Sequence, residues 1–231
     1  DPYDRALGLH QYPVSPDHAD DSWTEAWNDM IVDQNGHFHT PDAGDYLYNY
    51  FRPTPAPLLE SELNYEGFEN STGTFVVDDT MVRQSAYTAI QSGSFGYGYG
   101  ASGSYSGAAN GSGQPANWGT IYDWWDGLAF DGAGQMQWLK NIYESVDWWT
   151  LEPTVGISEN IRLFVKADAH RTVLVYFPSG ISYTTGTILP DTAYGGASYS
   201  VTWFNPRDGS SMAGSPISVT TLGLALPARP D

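Results

Sequence analysis

Apolar residues in the first part of the chain form short runs that alternate with stretches of helical periodicity. Each run has the length of a buried strand and ends in polar, Pro or Gly residues. The predicted strands are residues 6–10, 30–34, 57–62 and 94–99. Strands that alternate with helices indicate a parallel sheet joined by right-handed crossovers.

Two segments carry apolar residues at clear helical spacing, residues 78–91 and 132–144. Asp78 or Asp79 is the predicted N-cap of the first helix. The residues predicted to face inward are Met81, Val82, Ala86, Ala89 and Ile90 in the first helix, and Met136, Leu139, Ile142 and Tyr143 in the second. Weaker helical patterns predict two shorter helical segments, residues 21–28 and 45–51.

The pattern changes beyond Trp149, where no helical period is present. The predicted strands there are residues 160–166, 172–177, 181–185 and 199–205, separated by turns rich in Pro, Gly and Asp. Strands of this length and spacing indicate a small antiparallel β-sandwich. We therefore expect two domains, residues 1–152 and residues 153–231, with the boundary near Pro153.

Four strand–helix units make half of a (β/α)8 TIM barrel. The expected fold class is α/β plus all-β: half of such a barrel, followed by the sandwich. Half a barrel leaves two parallel edges with unpaired backbone groups, and these must be covered. We expect the other half of the same precursor to cover them, as a separate chain or as a further segment. The start at Asp1-Pro2, without Met, is consistent with processing.

Composition narrows the classes of ligand. Acidic residues outnumber basic ones 27 to 9, and the net charge of −18 would repel phosphate backbones and anionic lipid. We therefore expect no nucleic-acid and no membrane partner. Aromatic residues make up 15% of the chain and suit neutral, hydroxyl-rich ligands such as carbohydrates. N-glycosylation sequons at Asn70 and Asn110 favour a secreted glycoprotein.

Acidic residues crowd the end of the third predicted strand, where Glu60, Glu62 and Glu66 lie within seven residues. Active sites of (β/α)8 barrels lie at the C-terminal ends of the strands, and glycoside hydrolysis needs two carboxylates beside the scissile bond. Glu60 and Glu62 share strand parity and would both point into the barrel. Glu62 is nearer the mouth and is the better candidate. A solvated acidic turn is an equally open reading of this spacing.

Five segments together resemble the apiosidase-like glycoside hydrolases. Residues 57–67 are similar to the family pattern KPVLNGEPxYEG. Residues 82–100 and 127–136 resemble two further barrel motifs of the family, in the same order. Residues 175–180 and 203–209 resemble its C-terminal sandwich, a domain whose family label mentions collagen binding. The likeness spans nearly the whole chain.

This resemblance implies that the chain corresponds to the C-terminal half of the barrel, beginning around strand five. It also implies that Glu62 is the glutamate at the end of strand seven, acting as the nucleophile of a retaining mechanism. The general acid, expected near the end of strand four, would then come from the missing N-terminal half. Leu63 replaces the usual Pro and Tyr97 stands where the family has His, so apiose specificity is not implied.

Further residues could bind a sugar. The predicted substrate-binding residues are His10, Gln34, His37, Tyr65, Glu66, Tyr97, Trp124 and Trp125. His10, Gln34 and His37 lie at strand ends, and an ordinary polar loop role is as open for each. The two Trp side chains could stack on pyranose faces, although we expect one of them to be part of the core.

The sequence gives little support for a metal site, a phosphate loop or a serine hydrolase. His37 and His39 are too few for a zinc site, so we expect no metal and no cofactor. Residues 93–98 lack the lysine of a phosphate loop, and Ser61 lacks the Gly-x-Ser-x-Gly elbow of a serine hydrolase. The sequence predicts a secreted glycoside hydrolase acting on a polysaccharide or glycan. The alternatives are a non-catalytic carbohydrate-binding or adhesive protein derived from such an enzyme, and, ranked lower, a protein-binding module built on the sandwich.

Overall fold

A computed structural model describes residues 5–10, 26–37, 47, 50–51, 55–104, 107, 121–153, 164–168, 172–180, 187–188, 198–220 and 223–225. The chain divides into two compact units, Asp1–Gln137 and Trp138–Asp231. The predicted domain boundary near Pro153 stays a prediction. The predicted segments 21–28, 45–51 and 181–185 lie wholly or mostly outside the described residues.

A four-stranded parallel sheet forms the centre of the first unit. Its strands follow chain order: β1 (Gly8–His10), β2 (Met30–Asp33), β3 (Leu58–Glu60) and β4 (Gly96–Tyr97). Each neighbouring pair is parallel, which confirms the predicted pairing. The strands are shorter than predicted. Single parallel bridges beyond the strand ends, between Gly36 and Leu63 and between Glu66 and Ala101, continue the alignment.

The core of this unit lies between the sheet and the helix that follows β3. Ile31, Leu58, Leu63 and Ala89 form one buried cluster, with Tyr97 packed against it. Strands of a parallel sheet are covered on both faces, so their residues are apolar in continuous runs rather than in alternation. The sequence Met30-Ile31-Val32 at the start of β2 follows this rule.

Helix α1 (Asp79–Gln91) begins where the sequence predicts. The Asp78 side chain accepts a hydrogen bond of 2.8 Å from the backbone N–H of Met81, which makes Asp78 the N-cap. Val82, Ala86 and Ala89 are buried as expected, whereas Met81 and Ile90 are half-buried. The helix also buries polar residues that the apolar stripe did not predict: Arg83, Ser85, Thr88 and Gln91.

A short helix α2 (Trp124–Gly127) precedes helix α3 (Asp131–Glu144), which begins one residue earlier than predicted. Within the first unit, α3 is tied to α1 by a polar cluster. Arg83 donates to Asp79 at 3.0 Å and to Gln135, and Gln135 donates to Asp79 at 2.8 Å. No helix in the described ranges is long and apolar enough to cross a membrane.

The second unit contains only antiparallel strand pairs among its described residues, as predicted. A 3-10 turn, Trp148–Thr150, precedes a three-stranded sheet of β5 (Glu152–Pro153), β6 (Phe164–Ala167) and β7 (Val173–Tyr176). A four-stranded sheet has the order β8 (Thr187–Ile188), β11 (Gly223–Ala225), β10 (Ser211–Thr220) and β9 (Ser198–Phe204).

Candidate functional site

Glu62 lies two residues beyond β3, at the C-terminal edge of the parallel sheet. Its side chain is 21% exposed, and its Oε1 lies 3.5 Å from Nε2 of His37. Its backbone N–H donates a 2.8 Å hydrogen bond to Oε1 of Glu60. Glu62 therefore has contacts at both its main chain and its side chain, and its carboxylate is still open to solvent.

Glu60 shares the parity of Glu62 but has quite different surroundings. It is fully buried, at 0% exposure. Its Oε2 accepts a 2.6 Å hydrogen bond from Asn35, and its own backbone N–H donates to Ser94 at 3.0 Å. Because both carboxylate oxygens are engaged within the protein and no solvent reaches them, Glu60 supports the strand end rather than a ligand.

His37 follows β2 and joins the two loops at this edge. Its Nδ1 accepts a 3.3 Å hydrogen bond from the backbone N–H of Tyr65. Its ring stacks on Phe68, with centroids 4.2 Å apart and planes at 28°, and is tilted against the Tyr65 ring at 4.6 Å. A nitrogen that accepts a hydrogen bond carries no proton, so the neutral ring presents Nε2–H towards Glu62.

Tyr97, at the end of β4, supports the loop that contains Glu62. Its hydroxyl donates to the backbone carbonyl of Leu63. Burial, with smaller contributions from the neighbouring Glu60 and Tyr99, raises the pKa of Tyr97 well above its ordinary value. The hydroxyl therefore stays protonated and available as a donor at physiological pH.

The same loop contains a residue in the left-handed backbone region. Asn64 has φ of 55°, a conformation that Asn tolerates better than other non-Gly residues. Its side chain is buried and donates to Ser85 of α1 at 2.9 Å. The reversal at Asn64 lies between Glu62 and Tyr65, so it helps to set the direction of both side chains.

Glu66 lies against the first turn of α3. Its Oε2 accepts a 2.7 Å hydrogen bond from Tyr99, and its Oε1 accepts one of 3.2 Å from the backbone N–H of Gly132. Burial raises the pKa of Glu66, with hydrogen bonds from Tyr99 and Gly132 opposing the rise. A carboxylate at a helix N-terminus also interacts favourably with the helix dipole.

A shallow cavity of about 340 Å³ lies between the first turns of α1 and α3. Its lining residues are acidic, aromatic and small: Glu66, Gly67, Val76, Val77, Asp78, Asp79, Tyr122, Ala129, Phe130 and Asp131. Neither Glu62 nor His37 is among them. Asp78, Asp79 and Asp131 lie at helix starts, where acidic side chains stabilise the backbone.

Four predicted substrate-binding residues remain: Trp124, Trp125, Gln34 and His10. Trp124 and Trp125 are 43% and 48% exposed, with ring centroids 5.6 Å apart at 78°. The expectation that one of them is part of the core is wrong, because both lie on the short helix α2 at the surface. Gln34 directly follows β2 and is half-buried, and His10 is the last residue of β1. The His10 side chain, His39 and Asn110 lie outside the described residues.

Asn70 lies in an exposed turn. Its side-chain oxygen accepts hydrogen bonds from Thr72 at 3.1 Å and from the backbone of Thr74 at 3.0 Å. The Thr72 hydroxyl of the sequon thus contacts the asparagine that a glycan would modify. The predicted substrate-binding and glycosylation roles stay predictions.

Sequence reasoning did not find Asn35, Phe68 or Tyr99. Asn35 follows a strand end, which is a weak signal, and the other two look like ordinary core aromatics. Over the ranges that the structure covers, no group of three or more His, Cys, Asp or Glu side chains is arranged to hold a metal ion.

Comparison with known proteins gives one family and one fold. The family described as "Apiosidase-like, catalytic domain" matches residues 3–150. A solved structure described as "Glycoside hydrolase" superposes with a TM-score of 0.72 at 20% identity, covering 87% of this chain and 49% of that chain. A glycoside hydrolase family 5 structure from Bacteroides vulgatus ATCC 8482 gives a TM-score of 0.71 at 20% identity, covering 88% of this chain and 48% of that one.

No curated protein sequence matches the chain. The chain spans about half the length of the solved structures that it resembles. At this level of identity the structural likeness shows a shared mixed α/β fold.

Proposed function

Because the chain belongs to the apiosidase-like family of glycoside hydrolases, we propose that it is part of a glycosidase in which Glu62 is the catalytic nucleophile. One observation supports this assignment above the others. Glu62 is a solvent-accessible carboxylate at the C-terminal edge of a parallel sheet, whereas its neighbour Glu60 is fully buried and engaged. In parallel α/β folds that edge is where catalytic residues lie.

The proposed reaction is retaining. A carboxylate oxygen of Glu62 forms a bond to the anomeric carbon, the glycosidic C–O bond breaks, and its electron pair leaves with the aglycone oxygen. A general acid protonates that oxygen. Its conjugate base then takes a proton from water, the water oxygen bonds to the anomeric carbon on the face opposite Glu62, and the ester bond breaks to release the Glu62 carboxylate. This mechanism requires a second carboxyl group about 5–5.5 Å from the first. We assign the general acid to the N-terminal half of the same barrel.

We further propose the architecture in which this happens. The four parallel strands would form the C-terminal half of a (β/α)8 barrel, and the N-terminal half would pair with β1 and β4, which end the strand order. In the second unit, a β-sandwich is supported by Phe177 and Trp203, whose rings lie 5.7 Å apart and join the ends of β7 and β9.

The proposed substrate is a polysaccharide or glycan. Tyr65 and Gln34 lie in the loops around Glu62 and could contact sugar hydroxyls. Trp124 and Trp125 offer exposed indole faces on which pyranose rings could stack. We propose that the protein is secreted and that Asn70 is glycosylated, since its turn is exposed.

A panel of aryl glycosides tests the function, using the complete native protein with every polypeptide that belongs to it. We expect turnover of at least one glycoside, and Glu62→Gln should lower kcat by several orders of magnitude because the amide cannot form the ester intermediate. Glu69→Gln is the matched control, since it removes a carboxylate from the same loop region, and should leave kcat unchanged. Near-normal turnover by Glu62→Gln would refute the assignment. Carbohydrate binding without turnover of any glycoside would favour a non-catalytic binding protein.

A further inference from the structure

We propose that His37 is the positioning residue of Glu62, holding the carboxylate in one orientation through its Nε2–H. This inference rests on the proposed role of Glu62 and gives His37 a specific role within it. The contact that supports it is the 3.5 Å approach of Nε2 to Oε1 of Glu62. Hydrogen bonds in unliganded active sites are commonly long and tighten when substrate binds.

The ring of His37 is fixed on three sides, so its Nε2 has one direction to point. Phe68 stacks on one face at 4.2 Å, the Tyr65 ring is tilted against it at 4.6 Å, and the Tyr65 N–H binds Nδ1. The last contact also selects the tautomer, because Nδ1 must be unprotonated to accept it. A ring free to rotate or to change tautomer could not present a donor reliably.

Two other ionisable residues contact the loop that contains Glu62. Glu60 on β3 accepts a hydrogen bond from the Glu62 backbone N–H, and the Tyr97 hydroxyl on β4 donates to the carbonyl of Leu63. Both of these contacts are with the backbone of the loop. His37, in contrast, approaches the Glu62 carboxylate itself.

A donor aimed at a carboxylate orients a nucleophile, because it fixes which oxygen and which lone pair faces the substrate. Loss of this donor should therefore lower kcat with little change in KM. A merely structural role would change stability, and a residue that restores only the donor would not restore kcat.

Two substitutions separate the two nitrogens of His37. Glutamine places an amide N–H near the position of Nε2 and keeps a donor to Glu62, whereas asparagine places an oxygen near Nδ1 and keeps only the acceptor for Tyr65. In the complete native protein, we expect His37→Asn to lower kcat roughly tenfold to a hundredfold with little change in KM. His37→Gln should restore most of kcat.

The outcomes distinguish this inference from the function on which it rests. If Glu62→Gln is inactive while His37→Asn matches wild type in kcat, the positioning role is wrong and the nucleophile stands. If Glu62→Gln is active, the proposed function itself fails.

A second measurement does not depend on turnover or on the folding of a variant. Nitrogen-15 NMR of the imidazole in the unsubstituted protein should show His37 as the Nε2–H tautomer at neutral pH. A predominant Nδ1–H tautomer would overturn the proposal, since Nε2 would then have no proton to donate to Glu62.

Discussion

At the scale of single residues, three glutamates close together in sequence have three separate environments. Glu60 is enclosed and bonded to Asn35 and to the Glu62 backbone, Glu62 is accessible beside His37, and Glu66 lies on the first turn of α3. Since a nucleophile must meet both substrate and solvent, its accessibility separates Glu62 from its two neighbours. The side chain of Glu66 instead contributes to the attachment of a helix.

Glu66→Gln should change stability in a pH-dependent way. Burial raises the folded-state pKa of Glu66 above its ordinary 4.5, so its contribution to stability is complete below that value and is lost as pH rises through the raised pKa. Glutamine resembles the neutral acid and can still accept from Gly132. The variant should therefore gain stability relative to wild type as pH rises above 4.5, the ordinary pKa of this side chain.

Urea unfolding at several pH values measures this difference, with Glu69→Gln as the control for general loss of charge. A variant that instead loses stability relative to wild type as pH rises would show that the ionised carboxylate is the form that the fold prefers.

At the scale of elements, α3 depends on two glycines that look alike in sequence and differ in surroundings. A Cβ on Gly132 would overlap Oε2 of Glu66, whereas one on Gly134 would meet no atom within 4 Å. Gly134→Ala should stabilise the protein by roughly 0.5–1 kcal/mol, because alanine loses less backbone entropy in a helix.

Gly132→Ala should destabilise the protein, because Glu66 must leave the helix N-terminus to make room. Thermal melts of both variants give the comparison. Equal effects of the two substitutions would contradict the placement of Glu66 against this turn.

The attachment of α3 to α1 also depends on Arg83, which is only 2% exposed. Arg83→Met keeps the apolar stem but removes the donor to Gln135 and leaves Asp79 with the Gln135 amide in place of the guanidinium, and should cost about 2–4 kcal/mol. Lys140→Met removes another i,i+4 ion pair, the exposed one with Glu144, and should change stability by less than about 0.5 kcal/mol. Chemical denaturation of both measures the contrast. A small loss of stability in Arg83→Met would mean that the polar cluster does not hold α3 against α1.

These elements also show what sequence can predict. The N-cap at Asp78 and the parallel order of β1 to β4 follow from local signals, and so does the position of Glu62 at a strand end. The contact of Glu66 with Gly132 joins residues 66 apart, and no local pattern predicts it. Strand β10, the longest among the described residues, is absent from the sequence prediction because Gly214, Pro216 and a register shift between Gly214 and Ile217 interrupt its alternation.

At the scale of the whole molecule, the feature that matters is the two outer strands of the described parallel sheet. β1 and β4 each pair on one side only within the described sheet, and parallel strands are normally buried between neighbours. We predict that the native particle contains further polypeptide that pairs with them. Light scattering of native material, followed by a denaturing gel, should show a particle larger than this chain. A stable, monodisperse monomer of this chain alone would contradict the half-barrel proposal.

The central claim is that Glu62 attacks the anomeric carbon, and covalent trapping tests it most directly. A 2-deoxy-2-fluoroglycoside with a good leaving group slows hydrolysis of the glycosyl ester, so the intermediate accumulates on the nucleophile. The sugar is chosen from the aryl glycosides that the native protein hydrolyses. Peptide mass spectrometry of the inactivated protein should then find one added fluorosugar, on Glu62. A fluorosugar attached to any other carboxylate would contradict the account.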